Sequence, residues 1–229
     1  MASTGTTAYG PAASNLMLTA FGRIGIRRTE ITAQHLADAE NEANLVQVKI
    51  ANLQPNLWTS TLLTTTLVDG TATYTLPAST IAIQACYLTT ESGGVSTDRI
   101  IWPYSAFEYA AIPDKTQEGP PTSYWYNRLA TPEISLWPVP DDAATYSLNL
   151  RTVNQIEDVS LKSGLTLDLP YRWLDVFVSD LAYRLARIYA PEREAARKAD
   201  SMEAWSNAAF EDQERTPLYI GMSVSSYYG

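Results

Sequence analysis

The side chains that most often carry out catalysis are sparse in this sequence. The chain of 229 residues has one histidine, His35, and one cysteine, Cys86. A hydrolytic triad needs a base that a third group orients. His35 falls on the polar flank of a predicted helix, so we expect a surface histidine there. Cys86 lies in an apolar run, residues 83–88, so we expect a small buried hydrophobic side chain.

Carboxylates and glycines also show no arrangement typical of a reaction centre. The adjacent acidic pairs are Asp141-Asp142, Glu157-Asp158 and Glu211-Asp212. Neighbouring side chains of an extended chain point apart, so these pairs are more often solvated than catalytic. A metal site needs ligands that converge, and no glycines have the spacing of a phosphate-binding loop. We therefore expect no enzyme, no cofactor and no metal site.

The negative charge is concentrated in the middle of the chain. The formal net charge is −9, and residues 54–160 contain four basic against eleven acidic side chains. Proteins that grip DNA neutralise phosphates with clustered lysine and arginine. A DNA-gripping surface is therefore not expected in this region.

Cellular context can also be predicted from composition. No apolar run approaches the roughly 20 residues that cross a bilayer, and the N-terminus has neither a basic nor an apolar signal region. We expect no membrane contact. One cysteine excludes an internal disulfide, which favours folding in a reducing cytoplasm.

Helical periodicity marks both ends of the chain. A first helix is predicted from Ser14, with Ser14 or Asn15 as its N-cap and Gly25 as its stop. A second helix, residues 32–53, begins at the N-cap Thr32 and has a polar face that includes Gln47. Its apolar seam consists of Leu36, Ala39, Ala43, Val46, Ile50 and Leu53. A bundle helix and a subunit-contact helix both fit this pattern. Further helices are predicted at 171–189 and from 192 to about 215.

The middle of the chain has β character. Strands are predicted at 122–127, 133–137 and 146–152, where aromatic and β-branched residues lie between Pro, Gly and Asp. Asp69-Gly70 predicts a hairpin between 62–67 and 71–76, and residues 91–97 predict a loop. About seven strands are expected, enough for a small sandwich or barrel.

These elements predict an α+β fold. The N- and C-terminal helices form an α-helical bundle, and an antiparallel β-sandwich or barrel domain is inserted between them. We expect an arm and bundle helices at 1–55, the β domain at 56–160, C-terminal bundle helices at 161–215, and an extended tail at 216–229. The tail is apolar without helical period, so it either folds back or docks on a partner, for instance at a sheet edge.

The order of short motifs resembles the head-to-tail adaptors of short-tailed bacteriophages, which are head–tail connectors similar to tail tubular protein A. A Gly-x-Pro-x-x-Tyr segment precedes an x-Leu-x-Pro-x-Pro-Asp turn and a Tyr-x-Leu-x-Leu strand. The matching residues are Gly119, Pro121, Tyr124, Leu136, Pro138, Pro140, Asp141, Tyr146, Leu148 and Leu150. The segment 69–79 is similar to the first hairpin of the family, and 169–181 to its penultimate helix.

The resemblance implies a structural virion protein at the head–tail interface, assembled in the host cytoplasm. Such proteins form a homo-oligomeric ring, a dodecamer, between the portal protein and the tail tube or nozzle, and genomic DNA passes through without specific binding. On this basis we expect Leu218, Tyr219 and Ile220 to contact the portal. Subunit or tail contacts are expected at Tyr124, Trp125, Tyr126, Asp141 and Asp142.

Two alternatives remain open from the residues themselves. The aromatic side chains Tyr124, Trp125 and Tyr126 could form a stacking surface of a carbohydrate- or receptor-binding β module of a phage tail. A cell-wall hydrolase is a third reading. Two carboxylates for glycoside cleavage can be assembled from almost any acidic chain, so their presence carries little weight for it.

Overall fold

The computed structural model describes residues 9–53, 57–141, 146–161 and 164–211. Within these ranges the chain forms five α-helices and eight β-strands. It divides into two compact units. The helical unit contains the described residues up to Val46 and from Val159 onward, and the β unit is Gln47–Asp158.

The helices lie at both ends of the chain, with one short helix between strands. They are α1 (Ala13–Arg23), α2 (Ala33–Leu53), α3 (Ala106–Ala110), α4 (Leu174–Tyr189) and α5 (Glu194–Glu211). Helix α2 begins in the helical unit and ends in the β unit. A 3-10 turn, Tyr171–Trp173, leads into α4.

Helix α4 is the centre of the helical unit. It packs against both α1 and α5, and ten of its sixteen residues are buried. The largest fully buried side chains of the unit are Met17, Phe21, Trp173, Phe177 and Leu181. The broad apolar face predicted for this helix is therefore present, except that Ile188 is about half exposed.

The start of α1 differs from the prediction. Its N-cap is Ala12, and no side chain caps the helix, so Ser14 and Asn15 were wrong. The reason is a long-range backbone contact. The amide of Ala13 donates to the carbonyl of Leu165, 2.9 Å away, which satisfies a donor that a side chain otherwise takes.

Helix α2 buries most of its predicted seam. Ala39, Ala43, Val46 and Ile50 are fully buried, but Leu53 is exposed and Gln47, predicted on the polar face, is buried. Gln47 lies one turn from Ala43 on the same side of the helix, so the buried face is wider than the apolar residues alone indicate.

The strands form two four-stranded sheets. They are β1 (Ser60–Thr66), β2 (Thr73–Thr75), β3 (Thr80–Ser92), β4 (Val95–Ile100), β5 (Trp102–Tyr104), β6 (Ser123–Asn127), β7 (Glu133–Trp137) and β8 (Tyr146–Asn154). One sheet has the order β1-β8-β3-β4 and is antiparallel throughout. The other has the order β2-β7-β6-β5, in which β5 and β6 are parallel.

The predicted hairpin at Asp69-Gly70 is wrong. Gly70 does occupy a turn, with φ of +69°, but β1 pairs with β8 and β2 pairs with β7. Leu67 and Leu76 are both buried in the core between the sheets. The chain therefore crosses from one sheet to the other here, because burying both leucines requires strands on opposite sides of the core.

The loop predicted at residues 91–97 is also wrong. Gly93 and Gly94, with φ of +60° and +80°, form the two-residue turn of a hairpin that pairs β3 with β4. Positive φ at both central positions is the requirement of a type I′ turn, and glycine meets it without steric cost.

Residues from both sheets share one core. It contains Leu67, Leu76, Cys86, Leu88, Ile101, Tyr124, Ile134, Leu136, Leu148 and Leu150. Two sheets packed face to face on a common core make a β-sandwich. The predicted α+β class, with terminal helices and an inserted β domain, is confirmed. The exact limits predicted for the four domains stay a prediction.

Candidate functional site

Histidine 35 has a packing role that its sequence position did not indicate. Its ring stacks on Tyr189 at a centroid distance of 4.4 Å and meets the edge of Phe21 at 5.7 Å. Its Nδ1 lies 2.6 Å from Thr32 Oγ1. The ring therefore links α1, α2 and α4, and His35 is partly buried rather than fully exposed at the surface.

Tyr189 ties α4 to α2 beside this histidine. Its hydroxyl donates to a carboxylate oxygen of Asp38. Desolvation raises the pKa of Tyr189 to about 12, and the hydrogen bond to Asp38 and its negative charge add to the effect. The neutral phenol is the form that the fold holds, which suits a structural hydrogen bond.

Cys86 is buried in the sandwich core, as expected. Burial raises the pKa of its thiol to about 12. Only the thiolate is an effective nucleophile. At neutral pH this thiol is therefore a packing group.

A buried carboxylate, Asp180, organises the polar contacts of the helical unit. It is 1% exposed and accepts a hydrogen bond of 2.8 Å from Ser201 on α5. Arg184 lies 3.7 Å from Asp180 and 3.1 Å from Glu42 on α2. These contacts connect three helices, so they hold the bundle together. Arg184 also lines a depression of about 350 Å³ together with Glu42, Arg187 and Ile188, so its lining contains charges of both signs.

Carboxylates, His35 and Cys86 do not converge elsewhere. Among the described residues, no three such side chains are placed to hold a metal ion. No helix in these same ranges has the length and apolar character needed to span a membrane.

The predicted aromatic group is divided between the core and the surface. Tyr124 is buried, and Tyr126 donates its hydroxyl to the Thr80 carbonyl at 2.9 Å. Trp125 stacks on Tyr109 at 5.3 Å. Since successive strand residues point to opposite faces, the three aromatic side chains do not form one platform. Phe107, on α3, is instead the most exposed aromatic near them, at 83%.

Of the other predicted contact residues, the structure describes Asp141 alone. Asp141 is exposed, and its carboxylate accepts a hydrogen bond from Tyr146 at 3.2 Å. Asp142, Leu218, Tyr219 and Ile220 lie outside the described residues. All these contact assignments stay predictions.

Within the described ranges, the β1-β8-β3-β4 sheet has two open edges, which the sequence did not reveal. Strands β1 and β4 each pair with one neighbour, and every residue of β4 is exposed. Each edge carries an exposed apolar side chain, Leu62 on β1 at 58% and Ile100 on β4 at 64%. A strand edge with unpaired backbone groups is a template for another strand.

A chain of polar side chains crosses the outer face of this sheet from edge to edge. Thr64 donates to Asn149 Oδ1 at 2.8 Å, and Asn149 donates to Thr89 Oγ1 at 2.8 Å. Thr89 donates to Asp98 Oδ1 at 2.6 Å. We name these four residues the polar ladder. It ends on β4 in a carboxylate, which only accepts hydrogen bonds.

Comparison with known proteins agrees with a structural role. No curated protein sequence matches the chain. The sequence model of the family described as SU10 adaptor protein matches residues 12–220, which include the whole sandwich and all five helices. The resemblance to phage head-to-tail adaptors is thereby confirmed. The chain belongs to the SU10 adaptor protein family and is a structural adaptor protein of a phage virion that interacts with other connector or tail proteins.

Proposed function

We propose that this protein is a head-to-tail adaptor that forms a ring between the portal and the tail and lines a passage for DNA. The observation that carries the proposal is the family match over residues 12–220. Because that match spans both units, the proposal concerns the whole chain and not one grafted domain.

The charge distribution supports a passage that does not retain DNA. The strand-rich region 54–160 has four basic against eleven acidic side chains. A surface of this sign repels phosphates over about a Debye length, roughly 8 Å at physiological ionic strength. DNA that meets such a wall can slide past it.

The chemistry around the two most reactive side chains supports a structural role. His35 is packed between aromatic rings, and Cys86 is a buried thiol with a raised pKa. In the described part of the chain, His35 contacts Phe21, Tyr189 and the Thr32 hydroxyl, and burial keeps the Cys86 thiol protonated at neutral pH, where it is a poor nucleophile. A carbohydrate platform gains no support either, since Tyr124 is buried and Trp125 is covered by Tyr109.

The partners follow from the same proposal. The portal protein is held by the helical unit and by Leu218, Tyr219 and Ile220 of the C-terminal segment. The tail tube or nozzle is held by the β unit, with Trp125 and Asp141 among its exposed or half-exposed candidates. Tyr126 and Asp142 belong to the same proposed contact, while Tyr124 supports it from the core.

Imaging of the purified chain tests the ring. We expect closed rings, dodecamers, in electron micrographs of the protein alone or mixed with the portal protein of the same phage. A chain that stays monomeric in both samples, at concentrations well above those of virion assembly, would contradict the proposal.

Truncation tests the portal contact. Deleting residues 217–229 should leave the helical and sheet content of the circular dichroism spectrum unchanged and abolish co-purification with the portal. A matched control replaces Leu218, Tyr219 and Ile220 with serine in the full-length chain. Full portal binding by both variants would remove the C-terminal segment from the interface.

Gel retardation tests the DNA passage. The chain should not shift duplex DNA at low salt, where non-specific binding is strongest. Tight binding that weakens steeply with salt would identify a phosphate-gripping surface and contradict an unretained passage.

A further inference from the structure

We propose that copies of this chain assemble by joining the β4 edge of one copy to the β1 edge of the next, so that the sheet continues from subunit to subunit. The inference rests on the proposed function, because it supplies the contact that closes the ring. It commits to a second copy of this chain as the occupant of both edges.

Strand direction permits the junction. Strand β1 is antiparallel to β8, β8 to β3, and β3 to β4. Strands β1 and β4 therefore run in opposite directions. A second copy placed beside the first extends the sheet with the same antiparallel alternation. Each copy offers one edge of each kind, which is a head-to-tail contact and closes into a ring when the rotation fits.

The hydrogen-bond alternation identifies the backbone groups that are free. The two-residue turn pairs Ser92 with Val95, and the amide of Ile101 donates to Cys86, so odd-numbered residues of β4 bond to β3. The backbone groups of Ser96, Asp98 and Ile100 therefore point outward. Following the same alternation through β3 and β8 gives the outward set on β1, namely Leu62, Thr64 and Thr66.

One register matches these two sets residue by residue. With Ile100 opposite Leu62 of the next copy, Asp98 meets Thr64 and Ser96 meets Thr66. The exposed apolar side chains of Leu62 and Ile100 cover each other, and the other two pairs are polar. All six side chains lie on the outer face of the sheet. Residues that are opposite each other on paired strands share a face, and so do residues two positions apart on one strand. By these two relations each of the six is on the face that carries the polar ladder.

The polar ladder continues through this junction. Thr64 already donates its hydroxyl proton to Asn149, so it does not donate to the incoming Asp98. The hydroxyl of Thr66 lies one diagonal step away on the same face and supplies that donor. Within the subunit, Asn149 reaches Thr89 by the same kind of diagonal step. In this register, a line of opposite residues that crosses one copy continues two residues further along the strands of the next copy. A closed sheet requires such a stagger.

The size of the resulting ring is compatible with a passage. Four strands per copy at about 4.8 Å each add about 19 Å of circumference. A dodecamer then measures about 230 Å around and about 70 Å across at the sheet. This leaves a wide central opening.

Disulfide cross-linking tests the junction. Residues opposite each other in a hydrogen-bonded antiparallel pair have Cα atoms about 5.5 Å apart, which suits a disulfide. Within one copy, Leu62 and Ile100 lie on opposite edges of the sheet, about 14 Å apart across three strand spacings. Every disulfide of the variant L62C/I100C therefore joins two copies.

The expected result is a ladder of covalent multimers on a denaturing gel after mild oxidation of assembled rings. An equimolar mixture of L62C and I100C chains should give dimers and nothing larger, because each chain then has one reactive cysteine. The matched control is L62C/V95C. Val95 is on the same strand and similarly exposed, at 62%, but lies too far from Leu62 in this register, so no multimers are expected.

Charge exchange provides a second test that requires no oxidation. L62D and I100K should each weaken assembly, measured as the protein concentration that gives half-maximal ring formation. The double variant L62D/I100K should recover about fivefold of that loss, because cross-strand opposite charges contribute up to about 1 kcal/mol. Circular dichroism confirms that each variant is folded.

The outcomes separate this inference from the proposed function. Rings that form normally, yet give no L62C/I100C multimers, would overturn the edge junction and leave the ring intact. Multimers from I100C with M222C in place of L62C would assign the β4 edge to the C-terminal segment and overturn the inference. Absence of rings in every variant and in the unmodified chain would overturn the proposed function itself, and the junction with it.

Discussion

The helical unit and the β unit place their polar side chains in opposite ways. In the helical unit, Asp180, Ser201, Arg184 and Glu42 join three helices through partly or fully buried contacts. In the β unit, the polar ladder lies across the outer face of one sheet and reaches both of its edges. The polar contacts of the helical unit are all made within one copy, whereas the polar ladder ends at edge strands that can pair with a neighbouring copy.

This difference indicates which unit is suited to binding a further copy of the chain. A buried polar contact is satisfied within one copy and fixes how its own helices pack. A surface ladder that ends at an open strand still has hydrogen-bonding capacity at its end. We infer that the buried polar contacts fix the packing of the helical unit, while the sheet edges provide the contacts with other copies.

High pH should have the largest effect on stability, because it removes stabilisation from both units until the protein unfolds. Four groups of the β unit have a raised pKa, mainly through desolvation: Tyr74, Cys86, Tyr124 and Tyr126. In the helical unit only Tyr189 does among the described residues. Each is protonated in the fold, and the unfolded chain releases the proton at the ordinary pKa. Their stabilisation is therefore complete below the unfolded pKa and is lost as pH rises through the folded pKa.

The order of loss follows from the individual groups. The thiol of Cys86 titrates at 9.0 in its ordinary state and at about 12 in the fold, so the β unit should weaken from about pH 9. Tyr189 changes from 10.0 to about 12, so the helical unit should weaken from about pH 10. Urea unfolding at increasing pH, followed by hydrogen exchange of each unit, measures both onsets. In C86A the β-unit onset should move to about pH 10, and an unchanged onset would contradict this assignment.

Core truncation should show that each unit has its own core. Phe177 is fully buried on α4 and Leu148 is fully buried on β8. F177A should cost about 3–5 kcal/mol and L148A about 2–5 kcal/mol of unfolding free energy, because each leaves a cavity. Denaturant unfolding monitored by hydrogen exchange should assign each loss mainly to its own unit.

A control on the same helix sharpens this result. Ile188 is about half exposed. I188A should cost less than about 1 kcal/mol of unfolding free energy, because the Ile188 side chain buries little apolar surface on folding. Equal losses in F177A and I188A would mean that α4 is not packed as the structure shows.

The fold was predictable where one local pattern decided the structure. Strand 133–137 has the predicted bounds, and most of the seam of α2 and most of the broad face of α4 are buried. Periodicity reports which face is apolar, and burial of that face fixes the element. The Asp69-Gly70 turn shows the limit. Its local signal is correct for a turn, but strand partners are chosen by the whole core, to which Leu67 and Leu76 contribute from opposite sheets.

The candidate site was less predictable for the same reason. The polar ladder combines residues that are up to 85 positions apart in sequence, and each is an ordinary strand residue when considered alone. The threonine-rich sequence of β1, which includes Thr64 and Thr66, was the available signal. Only the strand order shows that they share a face with Asp98 and that both edges are open. The ring contacts of His35 were not predictable because its aromatic partners come from α1 and α4.

Substitution of Asp180 and Asn149 should separate the two kinds of polar contact. D180A removes the buried acceptor of the Ser201 hydroxyl and the more distant of the two carboxylates beside Arg184, which keeps Glu42 at 3.1 Å, so it should cost about 1–3 kcal/mol. N149A removes neutral hydrogen bonds of the ladder and should cost about 1 kcal/mol. The measurement is the urea midpoint of each variant.

The conservative variants S201A and T64V serve as controls for these two positions. S201A should cost about 1–2 kcal/mol because the buried carboxylate of Asp180 loses one donor. T64V should have little effect on the isolated subunit. A larger loss for N149A than for D180A would reverse the proposed contrast between the closed network and the open ladder.

Exposed arginines should show the smallest effects, and they test whether surface charge contributes to either unit. Arg187 lies 3.7 Å from Glu194, with exposed fractions of 61% and 43%, so R187A should change the unfolding free energy by about 0.5 kcal/mol or less. In the β unit, Arg99 donates to the Pro121 carbonyl at 2.7 Å, and this charged hydrogen bond should contribute about 1 kcal/mol.

Added salt should abolish the R187A effect, because it screens exposed ion pairs, and leave most of the R99A effect. A salt-resistant loss in R187A would show that the helical unit also relies on its surface charges, and the division between buried contacts there and surface contacts in the β unit would then fail.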